Sequence, residues 1–420
     1  MRDWPVSSRF HPRWLNRNVL GTGIVSLLSD AGHEIVTSLL PAFLTLSTAL
    51  GGLGASAAVL GLIEGFSDGL SSLAKPISGF ISDKTNKRKP WMNFGYISTG
   101  ILLPAAALVQ NWFQLAILRV SAWVGRGLRG PPRDALLSDS VERENYGKAF
   151  GFHRMMDTLG AIMGPVLVLL LLPILGIRGT ILFALIPGTA SAVIVIFYIK
   201  EVKRFPHEGK KSPTFKASLT SLSSGFRRLL IAQGIFGIGN FANSLFVLAA
   251  ISILSPSMGA IAATSAGVGL YVLLNIIYAV GSYPVGILAD RHSKAVLLGL
   301  GYLFNALACL GLILWTNNLI FLGLIFAAVG LQLAFTDTSE AALAAELLPK
   351  QVMGTGYGVL ELVDGVGDFL SSFIVGVLWV ALSPQIGLFY SAILSILAMT
   401  FIIVGVRAGS SRSKMAQMES

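Results

Sequence analysis

Charged residues are scarce in this sequence. They make up 12% of its 420 residues, whereas a typical soluble domain has about 25%. The chain is 54% hydrophobic and has a mean hydropathy of +0.72. So little polar surface cannot cover a globule in water, which argues against a soluble domain. Apolar runs of the ~20 residues that a helix needs to cross the hydrocarbon recur along the chain and predict a polytopic membrane protein.

Other absences narrow the possible functions. The single cysteine, Cys309, excludes an intramolecular disulfide. The sequence has no phosphate-binding loop of the form GxxxxGK followed by Ser or Thr, which argues against an ATP-driven pump. No small-residue cleavage site follows the polar, basic start of the chain, so we expect no cleaved signal peptide.

The apolar runs predict an all-α fold of twelve transmembrane helices in two six-helix bundles. The predicted helices are 17–47, 55–82, 91–110, 113–136, 148–173, 178–199, 224–254, 259–289, 295–315, 319–343, 352–382 and 385–406. A polar, basic stretch with two prolines, KEVKRFPHEGKKSPTFK, separates the two sets of six. The predicted organisation is a cytoplasmic N-terminal segment (1–16), an N-terminal bundle (17–199), a basic linker (200–223), a C-terminal bundle (224–406) and a cytoplasmic tail (407–420).

Lysine and arginine accumulate on one side of the predicted membrane, which marks that side as cytoplasmic. The opposite loops contain almost none, with Arg178 as the exception. Both termini and the linker are therefore predicted to be cytoplasmic, in a bacterial-style inner membrane. This asymmetry and anionic lipid account for the net charge of +10 without a nucleic-acid partner. The residues assigned to the cytoplasmic side are Arg2, Arg9, Arg13, Arg17, the block Lys84–Lys89, Arg129, Arg133, Arg143, Lys148, the linker lysines, Arg291, Lys294, Lys350 and Arg407.

An internal repeat relates the two predicted bundles. The segment GKAFGFHRMMDTLG begins at position 147 and aligns with GTGYGVLELVDGVG, which begins at position 354, an offset of 207. The same offset maps Asp83 onto Asp290 and Gly79 onto Gly286. Unrelated apolar helices do not share a register of glycines and acids. Parallel repeats of this kind are typical of transporters that bind substrate near the midplane and alternate access between the two sides.

Two loops carry a family resemblance. GFISDKTNKR, after the second helix, resembles the cytoplasmic loop signature of the major facilitator superfamily, and GILADRHSK, after the eighth, resembles its degenerate copy. Asn86 stands where the family usually has glycine, and asparagine is the next-best residue in a left-handed turn. The resemblance implies this family's fold over nearly the whole chain and secondary transport by alternating access.

The same resemblance implies that Asp83 helps to latch the two halves together while the outside is open. An acid at a helix terminus can meet the positive N-terminal end of a neighbouring helix. The predicted latch residues are Gly79, Asp83, Lys87, Arg88, Arg126 and Asp290.

The fifth predicted helix resembles the corresponding helix of the family's proton-coupled exporters. Val168 and Leu169 stand where the full motif has two further glycines. This likeness favours export over uptake, although small residues at such spacings also serve close helix packing. The motif residues are Gly151, Gly160, Gly164 and Pro165.

Ionisable residues at membrane depth are costly and usually functional. The first helix holds Asp30, His33 and Glu34, with the two acids one turn apart on one face. We expect no basic residue except His33 beside this trio. Crowded carboxylates next to a histidine can load and release a proton near neutral pH. The trio is therefore the leading candidate for proton coupling or substrate contact.

Several other intramembrane charges are alternatives for that role, and many of them must pair simply to be tolerated. Asp68, Arg126 and Asp157 are expected to form one network. The trio could instead bind a divalent metal, because iron and manganese accept carboxylate and imidazole ligands, but no second ligand cluster supports that reading. The further candidates are Glu64, Asp68, Arg119, Asp157, Glu361 and Asp364, and Lys75, Asp337, Glu340 and Asp368 lie at similar depth.

The resulting prediction is a monomeric secondary transporter that exports a small organic molecule in exchange for protons and uses no cofactor. Uptake of an organic anion or siderophore, and export of a divalent metal such as iron, remain open. An enzyme would need a nucleophile motif that the intramembrane residues lack, and a sensor or scaffold would not need the repeat with its midplane charges. The expected partners are lipid, a small-molecule substrate and protons.

We predict that cysteines introduced at Asn86 and Ser212 react with a membrane-impermeant thiol reagent only from the cytoplasmic side. Both positions lie in segments rich in lysine and arginine. Labelling is compared between intact cells and inverted membrane vesicles. Reaction from outside intact cells would overturn the orientation and the count of twelve spans.

Overall fold

The computed structural model describes residues 14–45, 48, 52–55, 57–202 and 215–418. In these ranges the ordered elements are all helical, without a β-strand. Most of the predicted N-terminal segment, the middle of the linker and the last two residues lie outside them, and with them Arg2, Arg9, Arg13 and Ser212.

The helices alternate along the chain with short connections. They are α1 (Arg17–Thr45), α2 (Ala57–Thr85), α3 (Lys89–Ala105), α4 (Trp112–Asp139), α5 (Tyr146–Phe183), α6 (Leu185–Phe197), α7 (Phe215–Thr220), α8 (Ser224–Gly237), α9 (Asn243–Met258), α10 (Ala260–Arg291), α11 (Lys294–Ile313), α12 (Leu319–Leu347), α13 (Met353–Ala381) and α14 (Pro384–Met418). The short α7 lies in the linker, and α8 with α9 takes the place of the seventh predicted helix. The remaining helices correspond one to one with the predicted spans.

The prediction of a continuous seventh helix over 224–254 is wrong, because the helix is interrupted between Gly237 and Asn243. Backbone groups freed at membrane depth must find partners in neighbouring helices. Hydroxyl groups of α13 and α14 supply them. The hydroxyl of Tyr390 donates a hydrogen bond to Ile238 O at 3.0 Å, that of Ser391 to Gly239 O at 2.5 Å, and that of Ser371 to Asn240 O at 2.8 Å.

The predicted boundary between the fifth and sixth helices, at 173–178, also differs. Helical structure continues to Phe183, with a kink at Gly176, whose φ is +64°. Glycine adopts this left-handed conformation without the steric penalty of a side chain. The chain therefore changes direction at one residue instead of in a loop. Asn86, with φ of +53°, takes the left-handed turn conformation that its sequence position suggested.

The two bundles meet along two helix pairs, α2 with α13 and α5 with α10. The internal repeat maps α2 onto α10 and α5 onto α13, so the two pairs are equivalent. At one end of the molecule each pair crosses at two glycines. A Cβ atom on Gly79 would overlap the carbonyl oxygen of Gly354, and one on Gly147 would overlap that of Gly286. The absence of side chains lets the bundles touch there through their backbones.

The outer surface of the bundles is apolar. Large hydrophobic side chains such as Phe197 and Ile320 are more than 70% exposed, at 75% and 79%. Six stretches of the described chain are long and apolar enough, by length and composition, to cross a membrane. This surface suits lipid as the surrounding solvent.

We predict that Gly79→Ala lowers the melting temperature of the purified protein. The added methyl group forces the α2–α13 crossing apart, and overpacking of this kind costs about 1–3 kcal/mol. The matched control is Gly69→Ala in the same helix, where a Cβ atom meets nothing within 4 Å. Equal melting temperatures for the two variants would contradict the glycine contact.

Candidate functional site

A cavity of about 1350 Å³ lies between the two bundles. It is lined by α1, α2, α4 and α5 on one side and by α8, α12 and α13 on the other. Along α13 its lining runs from Tyr357 to Phe373, away from the end at which Gly79 and Gly354 meet. The Tyr357 hydroxyl donates to Ala341 O at 2.9 Å and lies 2.9 Å from Ser138 Oγ, which ties α13 to both bundles.

The two walls of the cavity differ in charge. The N-terminal bundle contributes Lys75, Arg126, Arg129, Arg133 and Arg154 together with Asp68, Asp134, Asp157 and His33. Within the described residues, the charged side chains that the C-terminal bundle contributes are all acidic. They are Asp337, Glu340, Glu361, Asp364 and Asp368. Among the described residues, one ion pair joins the two walls, with Lys75 Nζ 3.5 Å from Glu361 Oε2. The cavity therefore combines a basic wall with an acidic one.

The first-helix trio sits in a basic environment. Asp30 is buried and lies 3.6 Å from Arg126 Nη2 and 3.8 Å from Arg129 Nη2. The expectation that only His33 would supply positive charge beside the trio is therefore wrong. The bases come from α4, and no pattern within α1 could reveal them. Of the trio, His33 lines the cavity, whereas Asp30 and Glu34 are not part of its lining.

His33 is occupied by protein contacts. Arg126 Nη1 lies 2.9 Å from its ring nitrogens, and the ring packs edge-on against Trp123 with centroids 4.9 Å apart. Its Nδ1 is 3.8 Å from Asp30 and 3.6 Å from Glu34. A guanidinium against the imidazole takes the place that a metal ion would need. Among the described residues, no group of three or more His, Cys, Asp or Glu side chains is placed to hold a metal.

Glu64 and Arg119 form an ion pair between α2 and α4. Arg119 Nη2 lies 3.1 Å from Glu64 Oε1, and its guanidinium stacks 3.3 Å from the centre of the Trp123 ring. The indole N–H of Trp123 donates to Asp68 at 2.8 Å. Glu64 and Arg119 are not part of the cavity lining, whereas Asp68 is. Trp123, which the sequence analysis did not single out, thus connects three of the candidate residues.

The expected network of Asp68, Arg126 and Asp157 is wrong. Asp68 binds Trp123, and Arg126 binds His33 and Asp30. Asp157 accepts a hydrogen bond from Ser26 at 2.5 Å and lies 3.6 Å from Arg154. All three line the cavity, but in the described part of the chain no hydrogen bond or ion pair joins them, and each is bound to other residues.

Arg129 and Arg133, which the sequence analysis assigned to the cytoplasmic side, have a further role. Both lie inside α4 and line the cavity. Arg129 is buried, donates to Ser29 and Thr99 at 2.9 Å each, and stacks over the Tyr96 ring. The helix runs through Pro131 and Pro132, as predicted, and ends at Asp139 instead of at 136. The spacing of Arg119, Arg126, Arg129 and Arg133 on one helical face was the available signal.

Asp83 and Asp290 close one end of the molecule in equivalent ways, and we call this the closed end. Asp83, on α2, accepts from the N–H of Gly354 at 3.0 Å and of Thr355 at 2.6 Å, at the start of α13. Asp290, on α10, accepts from the N–H of Gly147 at 2.7 Å and of Lys148 at 3.1 Å, at the start of α5. Each carboxylate thus caps the positive end of a helix in the other bundle.

The remaining predicted latch residues lie in two different places, the closed end and the cavity. Arg88 is buried with Nη2 2.6 Å from Asp83 and Nη1 donating to Ser82 at 2.6 Å, so it joins the Asp83 contact. Lys87 is exposed at the same end. Arg126 belongs to the His33 contact in the cavity, so its inclusion in the latch is wrong.

The motif of the fifth helix serves helix packing. A Cβ atom on Gly151 would overlap Ser282 O of α10, and one on Gly160 would overlap Leu27 O of α1. One turn further along α5, a Cβ atom on Gly164 would overlap Glu34 and Ala31 of α1. Pro165 follows Gly164 within α5. Close packing of α5 on α1 is therefore one role of this motif.

Comparisons with known proteins agree with this architecture. A family model described as Major Facilitator Superfamily matches residues 22–275 and 229–418. The MFS-type transporter MJ1317 of Methanocaldococcus jannaschii, described as uncharacterized, is 29% identical over 391 residues, or 92% of this chain and 94% of that protein. Multidrug resistance protein MdtG of Escherichia coli strain 55989 is 29% identical over 188 residues, or 44% of this chain and 43% of that protein.

Solved structures share the fold at low identity. A bacterial homologue of the iron transporter ferroportin in the outward-facing state superimposes with a TM-score of 0.73 at 15% identity, covering 92% of this chain and 99% of that one. The Escherichia coli fucose:proton symporter FucP gives a TM-score of 0.70 at 15% identity, covering 92% of this chain and 98% of that one. Such identities establish the fold alone.

The family match covers both bundles, and the cavity between two equivalent helix crossings is what alternating access requires. The chain therefore belongs to the major facilitator superfamily and is a membrane-spanning secondary transporter, not an enzyme.

Proposed function

We propose that this transporter exports a small organic molecule from the cytoplasm in exchange for protons, as a monomer in an inner membrane. The observation that carries the proposal is the cavity with opposed basic and acidic walls. Its volume of about 1350 Å³ accommodates a drug-sized organic molecule, which needs about 300–1,000 Å³. Its carboxyl groups place proton-binding groups in the same space as the substrate.

In this proposal both termini, the linker and the closed end face the cytoplasm, as the distribution of lysine and arginine indicates. The conformation described here is then outward-facing. Inward opening has to break the caps that Asp83 and Asp290 place on α13 and α5. These residues, with Gly79 and Arg88, therefore act as the conformational latch.

Export is supported by two observations. The relative MdtG is named a multidrug resistance protein, and its similarity spans 44% of this chain. The fifth helix carries Gly151, Gly160, Gly164 and Pro165 at the spacing found in proton-coupled exporters of the family. No contact in the described cavity favours a metal ion as substrate, because His33 is held by Arg126.

We assign the candidate residues by their position. His33, Asp68, Asp157, Glu361 and Asp364 line the cavity and are the proposed contacts for substrate or protons. Glu64 and Arg119 hold α2 to α4. Asp30 compensates the buried Arg129, and Glu34 remains a coupling candidate through its contact with His33.

The function is tested in two steps with the purified full chain. Melting temperatures are measured with tetraphenylphosphonium, glycine betaine, benzoate, fucose and Mn²⁺. We expect one of the organic probes to raise the melting temperature. In proteoliposomes, that probe should accumulate when the lumen is acidic, because protons leaving the vesicle drive the probe inwards.

A protonophore is the control and should abolish the accumulation. Stabilisation by Mn²⁺ alone would replace the organic substrate with a metal. Accumulation only when the outside is acidic would show symport and would overturn export by proton exchange.

For the latch, we predict that Asp83→Asn raises the ratio of open to closed molecules at the closed end by about tenfold or more. Hydrogen bonds to a charged group contribute about 1.5–3 kcal/mol, and about 1.4 kcal/mol corresponds to tenfold. Spin labels at Lys84 and Gln351, which are exposed on opposite bundles, report the separation by pulsed electron paramagnetic resonance. The native Cys309 is fully buried and is not expected to be labelled.

Glu142→Gln is the matched control, since this acid is exposed near the same end. It should leave the distance distribution unchanged. An unchanged distribution in Asp83→Asn as well would remove Asp83 from the latch.

A further inference from the structure

We propose that the exported molecule is zwitterionic, with its carboxylate bound by Arg126 on the N-terminal wall of the cavity and its ammonium group bound by Asp368 on the C-terminal wall. The inference rests on the proposed export of a small organic molecule and names the chemical class of that molecule. Arg126, on α4, and Asp368, on α13, both line the cavity. The positions of these two groups on facing helices are the basis of the proposal.

The helices α4 and α13 approach each other closely at one point. A Cβ atom on Gly130 of α4 would lie 2.7 Å from Glu361 Oε2 of α13. Arg126 precedes Gly130 by four residues, and Asp368 follows Glu361 by seven. At these spacings each charged residue shares a helical face with the residue at the approach. Arg126 and Asp368 therefore lie on the faces that α4 and α13 turn towards each other.

The two charged groups also lie at the same depth. Asp139, at the end of α4, is 3.7 Å from Arg88 Nε at the closed end. Arg126 lies thirteen residues before Asp139, or about 20 Å along the helix at 1.5 Å per residue. Asp368 lies fourteen residues after Gly354, which meets Asp83 at the closed end, or about 21 Å. A ligand between the walls at this level has Arg126 on one side and Asp368 on the other.

Arg126 is an accessible base with donors to spare. Its side chain is 34% exposed, against 3% for Arg129 and 12% for Arg133. The guanidinium contacts His33 and Asp30, but a guanidinium has five N–H donors and can bind a further acceptor. Asp30 is shared with Arg129, so one carboxylate faces two guanidinium groups. A ligand carboxylate suits this excess of positive charge, because the planar guanidinium binds both of its oxygens.

Asp368 is an accessible acid on the opposite wall. It is exposed, and no lysine, arginine or histidine of the described chain lies at ion-pair distance from it. Lys75, the base that joins the two walls, is paired with Glu361. Phe369 and Phe373, one turn apart on α13, line the same cavity and are 69% and 63% exposed. A carboxylate next to exposed aromatic rings binds an ammonium group through its charge and through cation–π contacts.

Both walls also contain buried polar atoms that have no hydrogen-bond partner among the described residues. They are Arg129 Nε on the N-terminal wall, and Glu361 Oε1 and Asp364 Oδ1 on the C-terminal wall. Arg129 as a whole is only 2% exposed. Buried polar groups in proteins are normally hydrogen-bonded. A free donor on one wall and free acceptors on the other fit a ligand with a negative end and a positive end.

A ligand with two opposite charges contacts both bundles at once. A ligand shifts a conformational equilibrium only by its different affinities for the two states. A singly charged molecule held by one wall moves with that bundle, so its ionic contact is the same in both states. A zwitterion that spans the walls loses one ionic contact when the bundles move apart at its level. Its binding therefore favours the conformations in which the two walls enclose it.

The first test is isothermal titration calorimetry of the purified full chain with 4-(aminomethyl)benzoate, benzoate and benzylamine. The first probe carries both charges on one ring, and each of the others lacks one charge. A second series with a flexible chain consists of 6-aminohexanoate, hexanoate and hexylamine. We expect a zwitterion to bind about tenfold or more tightly than either of its analogues, because it makes the second ionic contact; tenfold corresponds to about 1.4 kcal/mol. A smaller advantage in both series, or no binding by either zwitterion, overturns the proposal.

Variants of the two walls should have opposite effects. Arg126→Gln should reduce the affinity for the zwitterion to about that for benzylamine and leave benzylamine unaffected. Asp368→Asn should reduce it to about that for benzoate and leave benzoate unaffected. A general loss of packing would weaken all three probes alike.

Arg227→Gln and Glu142→Gln are the matched controls, since each removes a charge from an exposed residue outside the cavity lining. They should leave all affinities unchanged. Melting temperatures identify a wall variant that fails to fold, and the other variant then decides. A folded wall variant that binds the zwitterion as tightly as the unmodified protein overturns the proposal.

Flux into proteoliposomes separates this inference from the proposed function, with protein-free liposomes as the control for passive entry. We expect 4-(aminomethyl)benzoate to accumulate in vesicles with an acidic lumen only when the protein is present. If it binds as described but the pH gradient does not drive its accumulation, proton exchange fails and the zwitterion site stands. If another organic probe is accumulated and neither zwitterion binds, export stands and the zwitterionic class fails.

Discussion

Ionised side chains inside a membrane need partners, and this constraint organises the molecule from its closed end to its cavity. Lipid offers no water to solvate a charge, so a buried ion is stabilised by an opposite charge or by a helix terminus. Both solutions occur here. Arginines of α4 compensate Asp30 and Glu64, and helix termini compensate Asp83 and Asp290. In the described part of the chain, the charged residues on the C-terminal wall of the cavity are all acids.

The two solutions differ in the motion that breaks them. An arginine–carboxylate pair within one bundle remains intact when the bundle moves as a rigid body. It therefore stabilises the bundle equally in every conformation of the transporter. A helix cap contributed by the other bundle breaks when the bundles separate, and it thereby distinguishes two conformations. The stability of each bundle and the choice between conformations thus use the same principle, with partners that differ in whether they lie in the same bundle.

Sequence reasoning reached the features that are local or repeated. The glycines and acids of the repeat located the equivalent ends of α2, α5, α10 and α13. The tolerance of asparagine for left-handed turns was enough to predict the conformation of Asn86. It failed where partners come from distant segments. Arg126 and Arg129 reach α1 across the bundle, and the break before α9 is satisfied by hydroxyls of α13 and α14. The arginines of α4 were read only as markers of the cytoplasmic side, because the distribution of positive charge along the sequence does not show which side chains face a cavity between helices.

The glycine crossings have a consequence for how such a protein can diverge. Contact between main-chain atoms does not depend on the shape of any side chain, so the surrounding sequence can drift without spoiling the fit as long as the four glycines remain. The two halves display this outcome. Both have glycine and aspartate at the crossings. The described charged residues that face the cavity are mainly basic in the N-terminal half and acidic in the C-terminal half. The charge of the cavity wall and the fit of the two bundles are therefore set by different residues, and one can change without the other.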